Sequence, residues 1–204
     1  MPPASKPYHH GNLRAALLER AEEILATTGA SALSLRELAR EAGVSHGAPR
    51  RHFPHKQALL DALAEQGFER LGRELDANMA AAQGTFTDRL IVFAQTYVHF
   101  AAGHPALLAL MHTSNDRPDA GHLRAANDRA FAAPKALIAD ARRRGDIAGT
   151  DPDRVAMTVL ALLQGLAVLV TTGLSGKRPL DTLVSDTIEV LVDGLRPRAE
   201  TASP

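Results

Sequence analysis

The spacing of apolar residues predicts a chain built almost entirely of helices. Apolar side chains recur every three or four residues, which places them on one face of an α-helix. Glycine or proline stands where one run ends and the next begins. We therefore expect an all-α fold, with a polar loop at 113–121 and a helix kink at Pro134. The predicted helices are residues 12–28, 34–42, 45–53, 56–82, 88–102, 105–112, 122–144, 152–176, with Asp151 as its cap and Pro152 at its first position, and 182–195.

Two short helices near the N-terminus have the signals of a helix-turn-helix unit. Ser34 followed three residues later by Glu37 has the spacing of a capping box, which opens the first helix. Gly43 suits the left-handed conformation that ends a helix. Ser45 is a suitable N-cap for the second helix, which would end near Phe53. Two short helices joined by such a turn form this motif, and the 12–28 helix would complete a three-helix unit.

Basic residues outnumber acidic residues in the same N-terminal part of the chain. The formal net charge is zero, so affinity for a polyanion must come from a local patch. Residues 1–56 hold eight Lys or Arg against five Glu, and no acidic residue occurs between Ala42 and Leu60. Phosphates bind to cations and helix N-termini, so this pattern predicts nucleic-acid contact. The alternative is an ordinary helical pair whose basic face meets only solvent.

The segment GVSHGAPRRHFPHKQALL, preceded by SLRELAREA, resembles the DNA-binding segment of TetR-type transcriptional regulators. Arg50 occupies the place where that family usually has Tyr, so the stacking role of a ring is lost there. The resemblance implies an N-terminal three-helix DNA-binding domain followed by a larger helical ligand-binding and dimerisation domain. The matching positions are Gly43, Val44, Ser45, His52, Phe53, Lys56, Leu59 and Leu60.

Motif and resemblance together predict a set of DNA-contacting residues. The small polar stretch 45–48 would reach base edges in a major groove, and the basic side chains would contact phosphates. Lys56 would lie at the N-terminus of the following helix, where phosphate binding is favoured. The predicted contacts are Arg14, Ser34, Arg36, Ser45, His46, Gly47, Arg50, Arg51, His52 and Lys56.

The predicted functional division of the chain has three parts. Residues 1–55 would form an N-terminal arm and the DNA-binding domain. Residues 56–83 would form a long linking helix, whose tilt would carry the reading helix along. Residues 84–204 would form the ligand-binding and dimerisation domain.

The C-terminal part contains two strongly apolar helices. The stretch 155–176 carries no charge and is long enough to raise the possibility of a membrane span. Its internal Gln and Thr residues, and the lack of aromatic anchors, favour burial in a core or in a subunit interface. We predict a homodimer in which two such helix pairs meet, as the resemblance also implies; burial within one chain is the alternative. The predicted interface residues are Leu162, Leu166, Val170, Ile188, Leu191, Val192 and Leu195.

Aromatic and methionine residues collect between the two predicted ends of the chain. The resemblance implies a small-molecule effector pocket there, whereas such residues at helical spacing more often form a plain core. The four histidines of this region, with Asp116 or Asp119, invite a metal-sensor interpretation, but none has the spacing of paired ligands on one helical face. No metal site is therefore predicted. The predicted pocket residues are Phe93, Tyr97, Phe100, Met111, His112, Phe131 and Met157.

Several function classes are disfavoured by what the sequence lacks. It contains no cysteine, which removes disulfides, thiolate metal sites and cysteine nucleophiles. It has no phosphate-binding glycine loop or nucleophile-elbow motif, so we predict neither an enzyme nor a cofactor. The N-terminus lacks the apolar core of a signal peptide, which favours a cytoplasmic location with no membrane partner. A helical enzyme, a metal sensor using the histidines, or a protein-binding adaptor are the alternatives to a regulator that binds operator DNA.

Overall fold

A computed structural model describes residues 13–148 and 151–196 of the chain. The predicted N-terminal arm lies outside these residues. Within them the regular structure is helical throughout, which confirms the all-α prediction. Two 3-10 helices occupy Ala30–Ala32 and Pro49–Arg51. The α-helices are α1 (Leu13–Thr28), α2 (Leu35–Glu41), α3 (Lys56–Ala81), α4 (Phe86–Gly103), α5 (Pro105–Asn115), α6 (Gly121–Ala130), α7 (Ala132–Arg144), α8 (Pro152–Thr171) and α9 (Leu180–Leu195).

The chain forms two compact units. The first contains the residues up to 67 together with 106–123, and the second contains 68–105 and the residues from 124 onward. The first unit is therefore assembled from two separate stretches of sequence. The assignment of residues 1–55, 56–83 and 84–204 to separate functions stays a prediction.

In the first unit, α1 and α2 pack on each other and on the Pro49–Arg51 helix. Leu17, Leu38 and Phe53 are each no more than 2% exposed and form the centre of this small core. They lie on the apolar faces that the sequence pattern predicted. Burial of three side chains of this size is the main favourable term that holds such short helices together.

The start of α2 differs from the prediction. Ser34 is the N-cap residue, but its side chain makes no capping hydrogen bond, so the predicted capping box is absent. The Glu37 carboxylate is paired instead with the Arg40 guanidinium one turn later. The end of α2 is as predicted: Gly43 has φ 66°, and the amide N–H of Val44 donates to the carbonyl of Ala39. This closure of the last turn satisfies carbonyls that the helix leaves open.

The second short helix of the predicted motif is a turn followed by one 3-10 turn, and not an α-helix. Pro49 explains the difference, because it has no N–H with which to bond the Ser45 carbonyl four residues back. The carbonyl of Ser45 accepts from the N–H of Ala48 at 2.9 Å, and that of Ala48 accepts from Arg51 at 3.2 Å. Both bonds span three residues, which is the 3-10 pattern.

The beginning of α4 lies two residues before the predicted position. Thr85 Oγ1 accepts a hydrogen bond from the N–H of Asp88, and Asp88 Oδ2 accepts from the N–H of Thr85. This is a complete capping box, and the hydrogen bonds from Thr85 lower the pKa of the Asp88 carboxyl. The sequence contained this signal, and the prediction missed it.

Two predicted boundaries in the middle of the chain differ from the structure. The α5 helix continues to Asn115, so the predicted loop shortens to 116–120. The predicted 122–144 helix is broken at Phe131 into α6 and α7, and not kinked at Pro134. The proline ring excludes the carbonyl four residues back, so a helix can contain Pro134 only within its first turn.

The second unit is built around α4, which packs on α7, α8 and α9. Leu90, Ala94 and Val98 are fully buried along it. The α8 helix begins as predicted, with the Asp151 carboxylate accepting from the N–H of Asp153 at 3.1 Å. It ends at Thr171 and not at the predicted 176, because the chain turns through two glycines with positive φ.

The α8 helix is long and apolar enough to span a membrane, judged by length and composition. One such helix is weak evidence for a span, since core and interface helices pass the same test. Only 28% of its most apolar stretch is buried within the chain. A large part of its apolar surface is thus not covered by the unit itself.

The capping box at α4 yields a stability prediction. Thr85→Ala removes the side-chain acceptor for the Asp88 N–H, and we expect the free energy of unfolding to fall by about 1 kcal/mol. Thr87→Ala is the matched control, because that hydroxyl makes no hydrogen bond in the described part of the chain. Urea unfolding of both variants measures the difference, and an equal effect would contradict the capping role.

Candidate nucleic-acid interface

The predicted DNA contacts lie on or beside the turn between α2 and α3. Arg36, at the start of α2, and Ser45, His46 and Gly47, in the turn, are all exposed. So are Ser34, Arg14, Arg50, Arg51 and His52, whereas Lys56 is half-buried. The structure thus leaves nearly all of the predicted set accessible to solvent.

Nearby acidic side chains are paired with arginines that the prediction did not assign to DNA. The Arg20 guanidinium donates to both Glu41 oxygens, at 2.5 and 3.3 Å, and to Glu23 at 2.6 Å. The hydrogen bond from Arg20 lowers the pKa of the Glu41 carboxyl, and that from Arg40 lowers the pKa of Glu37. These carboxylates are ionised at physiological pH, and the paired guanidinium groups compensate their negative charge.

Three exposed arginines of the first unit have no such partner. Within residues 13–148 and 151–196, Arg36, Arg50 and Arg51 form no ion pair and no side-chain hydrogen bond. Arg50 and Arg51 lie in the stretch 42–60, which contains no acidic residue, whereas Arg36 is next to Glu37 in sequence and contributes to lowering the pKa of that carboxyl. Exposed guanidinium groups without a hydrogen-bonded partner are available for phosphate oxygens or base edges.

Two further cations are held in place by neighbouring groups. The Arg14 guanidinium lies over the ring of Phe53, 5.6 Å from its centroid, in cation–π geometry. The Lys56 ammonium donates to the carbonyl of Ser31 at 2.9 Å, which leaves its other two N–H groups available. Next to Lys56, His55 Nδ1 accepts from the N–H of Ala58 at 3.2 Å and caps the first turn of α3. The prediction missed this cap, since histidine is not a usual N-cap residue.

The predicted pocket residues are only partly brought together. Phe93, Tyr97 and Phe131 form a ring cluster in the second unit, with centroids 6.1–6.5 Å apart. Tyr97 is fully buried, and this burial raises the pKa of its phenol well above the ordinary value, opposed only by the nearby Gln164 side chain. Met157 is 65% exposed on α8, so its assignment to a pocket is corrected.

The remaining predicted pocket residues have other neighbours. Phe100 is buried, with Arg70 over its ring and His104 against its edge. Met111 and His112 belong to the first unit. Met111 is fully buried, and burial lowers the pKa of His112, opposed by the Asp116 carboxylate.

The histidines of the middle region do not form a metal cluster. His99 Nε2 lies 2.6 Å from the Asp181 carboxylate on the surface, and His122 is exposed. In the residues that the structure describes, no three side chains of the metal-binding types lie close enough together to hold an ion. The metal-sensor alternative therefore finds no ligand set in that part of the chain.

The predicted dimer residues fall into two groups. Leu166, Ile188 and Val192 are no more than 4% exposed within the single chain, because α8 and α9 pack on α4; these three belong to the core and leave little surface for a partner. Leu162, Val170, Leu191 and Leu195 are half-buried. The apolar side chains that are strongly exposed in this region are Met157, Val168, Leu169, Leu174 and Val190.

One ion pair of the first unit was not predicted. The Arg117 guanidinium, in the loop after α5, donates to both Asp61 oxygens at 2.8 and 3.0 Å. Asp61 also accepts from Gln57 at 2.9 Å. The two ionic side chains are only 25% and 15% exposed. Since 56 residues separate them, no local sequence pattern indicated the contact.

Family comparisons agree with this geometry. Residues 17–63 match the family model described as bacterial regulatory proteins of the tetR family, and residues 90–195 match the model of a tetracyclin repressor-like C-terminal domain. The chain belongs to the TetR family. The first match covers α2, the turn and the start of α3, so this TetR-family protein is a regulator with a helix-turn-helix DNA-binding domain, as predicted. Members of this class are in general not enzymes.

Individual relatives support the same assignment. A curated HTH-type transcriptional regulator of Mycobacterium tuberculosis is 28% identical over 150 residues, which cover 74% of this chain and 72% of that protein. A solved structure of a Rhodococcus protein of unknown function is 40% identical, with a TM-score of 0.87 over 95% of this chain and 100% of that chain. PfmR, a TetR family transcriptional regulator from Thermus thermophilus, is 17% identical with a TM-score of 0.69 over 89% and 99% of the two chains, and shares the fold.

The unpredicted ion pair gives a second stability prediction. Arg117→Ala leaves the Asp61 carboxylate largely buried with Gln57 as its remaining partner, and we expect a loss of about 1–3 kcal/mol in the free energy of unfolding. Arg129→Ala is the control, because Arg129 is exposed and forms no ion pair in the described residues. Urea unfolding followed by circular dichroism measures both. A loss no larger than that of the control would mean that the pair contributes no net stability.

Proposed function

We propose that this TetR-family protein is a cytoplasmic, ligand-responsive repressor that binds a palindromic operator as a homodimer. The observation that carries the proposal is the exposed turn between α2 and α3, where Arg50 and Arg51 have no protein partner and no carboxylate interrupts residues 42–60. Such a turn is favourable against duplex DNA, because each cation that contacts a phosphate releases a counterion from the duplex.

The residues around the turn suit two kinds of contact. Arg14, Arg36, Arg51 and Lys56 are charged, so we assign them to phosphates, where they fix the position of the unit on the duplex. Ser45–Gly47 is small and exposed, so its backbone and side chains are able to approach base edges. Positioning by phosphates and selection by bases would thus come from adjacent parts of the same surface.

Dimerisation is supported by apolar surface that one copy leaves uncovered. On α8 the exposed residues Met157, Gly165 and Val168 recur at helical spacing, and on α9 Val190 is 74% exposed. We propose that these residues, together with Leu162, Val170, Leu191 and Leu195, meet their counterparts in a second copy. Two reading turns would then lie about 34–36 Å apart, one helical turn of DNA.

The effector is proposed to bind in the second unit near the cluster of Phe93, Tyr97 and Phe131. The rings of Phe93 and Tyr97 are buried, that of Phe131 is half-buried, and Gln164 is the polar side chain near Tyr97. Apolar rings beside a single polar group are a lining that suits small, mainly apolar ligands. The ligand would regulate DNA binding only if it binds two shapes of the dimer unequally. Repression would be relieved when it favours the shape whose reading turns do not match the operator.

The phosphate contacts are tested by salt dependence. We expect Lys56→Ala to weaken binding to specific and non-specific duplexes alike, and to reduce the slope of log Kd against log salt by about one. Fluorescence anisotropy between low and physiological salt measures this slope. Arg129→Ala, which changes a basic residue outside the interface, should leave the slope unaltered. Were both variants to bind like the parent, Lys56 would not contact phosphate.

The dimer surface is tested at a position where the single chain has room. A Cβ added at Gly165 meets no atom within 4 Å, so Gly165→Arg should not disturb the fold of one copy. It places a charged side chain in the proposed interface, and we expect monomers by light scattering. The control is Ala136→Arg on the exposed side of α7. A Gly165→Arg protein that remains dimeric with a parent-like melting temperature would place the interface elsewhere.

A further inference from the structure

The two adjacent arginines of the basic turn occupy different surroundings. Arg51 lines a recess of about 470 Å³ together with Leu13, Val44, Ala48 and His52. Arg50 is exposed and is not among the residues that line this recess. The Arg51 side chain thus lies against its own unit, whereas the Arg50 side chain has no neighbouring group that holds it in place.

The backbone geometry explains this difference. Hydrogen bonds that span three residues place side chains at positions i and i+3 on the same side. Ala48 and Arg51 therefore share one side, and both line the recess. Gly47 and Arg50 share another, and Pro49, between them in sequence, is buried and fixes the backbone. The side of the turn from which the Arg50 side chain leaves the backbone is set by this winding.

The exposed surface beside Arg50 carries little side-chain bulk. Gly47 has no side chain, and a Cβ built there would meet nothing within 4 Å. A bare, exposed backbone next to a guanidinium admits close approach of a planar base-pair edge, which a larger residue would prevent. The backbone of an α-helix that carried larger side chains at this point would lie further from the base edges.

From these observations we infer that Arg50 reads a guanine in each half-site of the operator. The guanidinium carries parallel N–H donors that match the O6 and N7 acceptors of guanine in the major groove, which is the commonest specific contact of arginine with DNA. A tyrosine, the residue usual at this position in the resemblance described above, cannot make that pair of bonds. The inference rests on the proposed function and adds the base that the turn selects.

The test is a selection from random duplexes with the full chain, using the parent, Arg50→Ala, Arg50→Lys and, as the matched control, Arg51→Ala. The parent should enrich a palindrome with guanine at one fixed position in each half. Arg50→Ala should lose preference at that position alone, with discrimination falling by about 10- to 100-fold, as expected for one bidentate pair, and Arg50→Lys should keep part of it, because an ammonium still donates to guanine O6 or N7. Arg51→Ala should keep the preference and bind all duplexes more weakly.

An atomic substitution in the DNA sharpens the result. Replacing the selected guanine by 7-deazaguanine removes the N7 acceptor while keeping base pairing. It should weaken binding of the parent and leave the affinity of Arg50→Ala unchanged. If a palindrome is enriched but the Arg50 variants keep every base preference, or weaken all duplexes equally, Arg50 contacts phosphate and the inference is overturned while the proposed function stands. If no motif is enriched by the parent, the proposed function itself is overturned.

Discussion

The burial of Pro49 and Phe53 is the constraint on which the DNA-binding surface depends. These two side chains hold both ends of a short basic segment against α1 and α2, while the residues between and before them remain exposed. A segment this short has little helical stability of its own, so tertiary packing must supply it. Proline also removes conformational freedom from the unfolded chain, which makes ordering the turn less costly.

The same packing determines which charges are available. Glu23 on α1 and Glu41 on α2 form ion pairs with Arg20, and Glu37 on α2 pairs with Arg40. The basic residues of the turn lie beyond those carboxylates. A chain whose formal net charge is zero therefore presents a positive surface at one place, without the self-repulsion that destabilises an overall polycation.

Sequence reasoning succeeded where local chemistry decides structure. Gly43 ends α2 with positive φ as expected, and α1 and α3 agree with their predicted bounds within one residue. It failed where two local options compete, as when Glu37 pairs with Arg40 instead of capping α2. It failed again where distant parts of the chain meet. Periodicity identified apolar α8 and α9 residues, but which of them face the core depends on packing against α4.

The composition of the first unit has a consequence for synthesis. Residues 106–123 belong to the same compact unit as the helix-turn-helix segment, and Arg117 supplies an ion pair to Asp61. A nascent chain that has emerged from the ribosome only as far as α4 lacks this part. The DNA-binding unit is therefore completed only after more than half of the polypeptide has been translated, and a fragment that ends at the boundary of the N-terminal motif would leave Asp61 without its arginine.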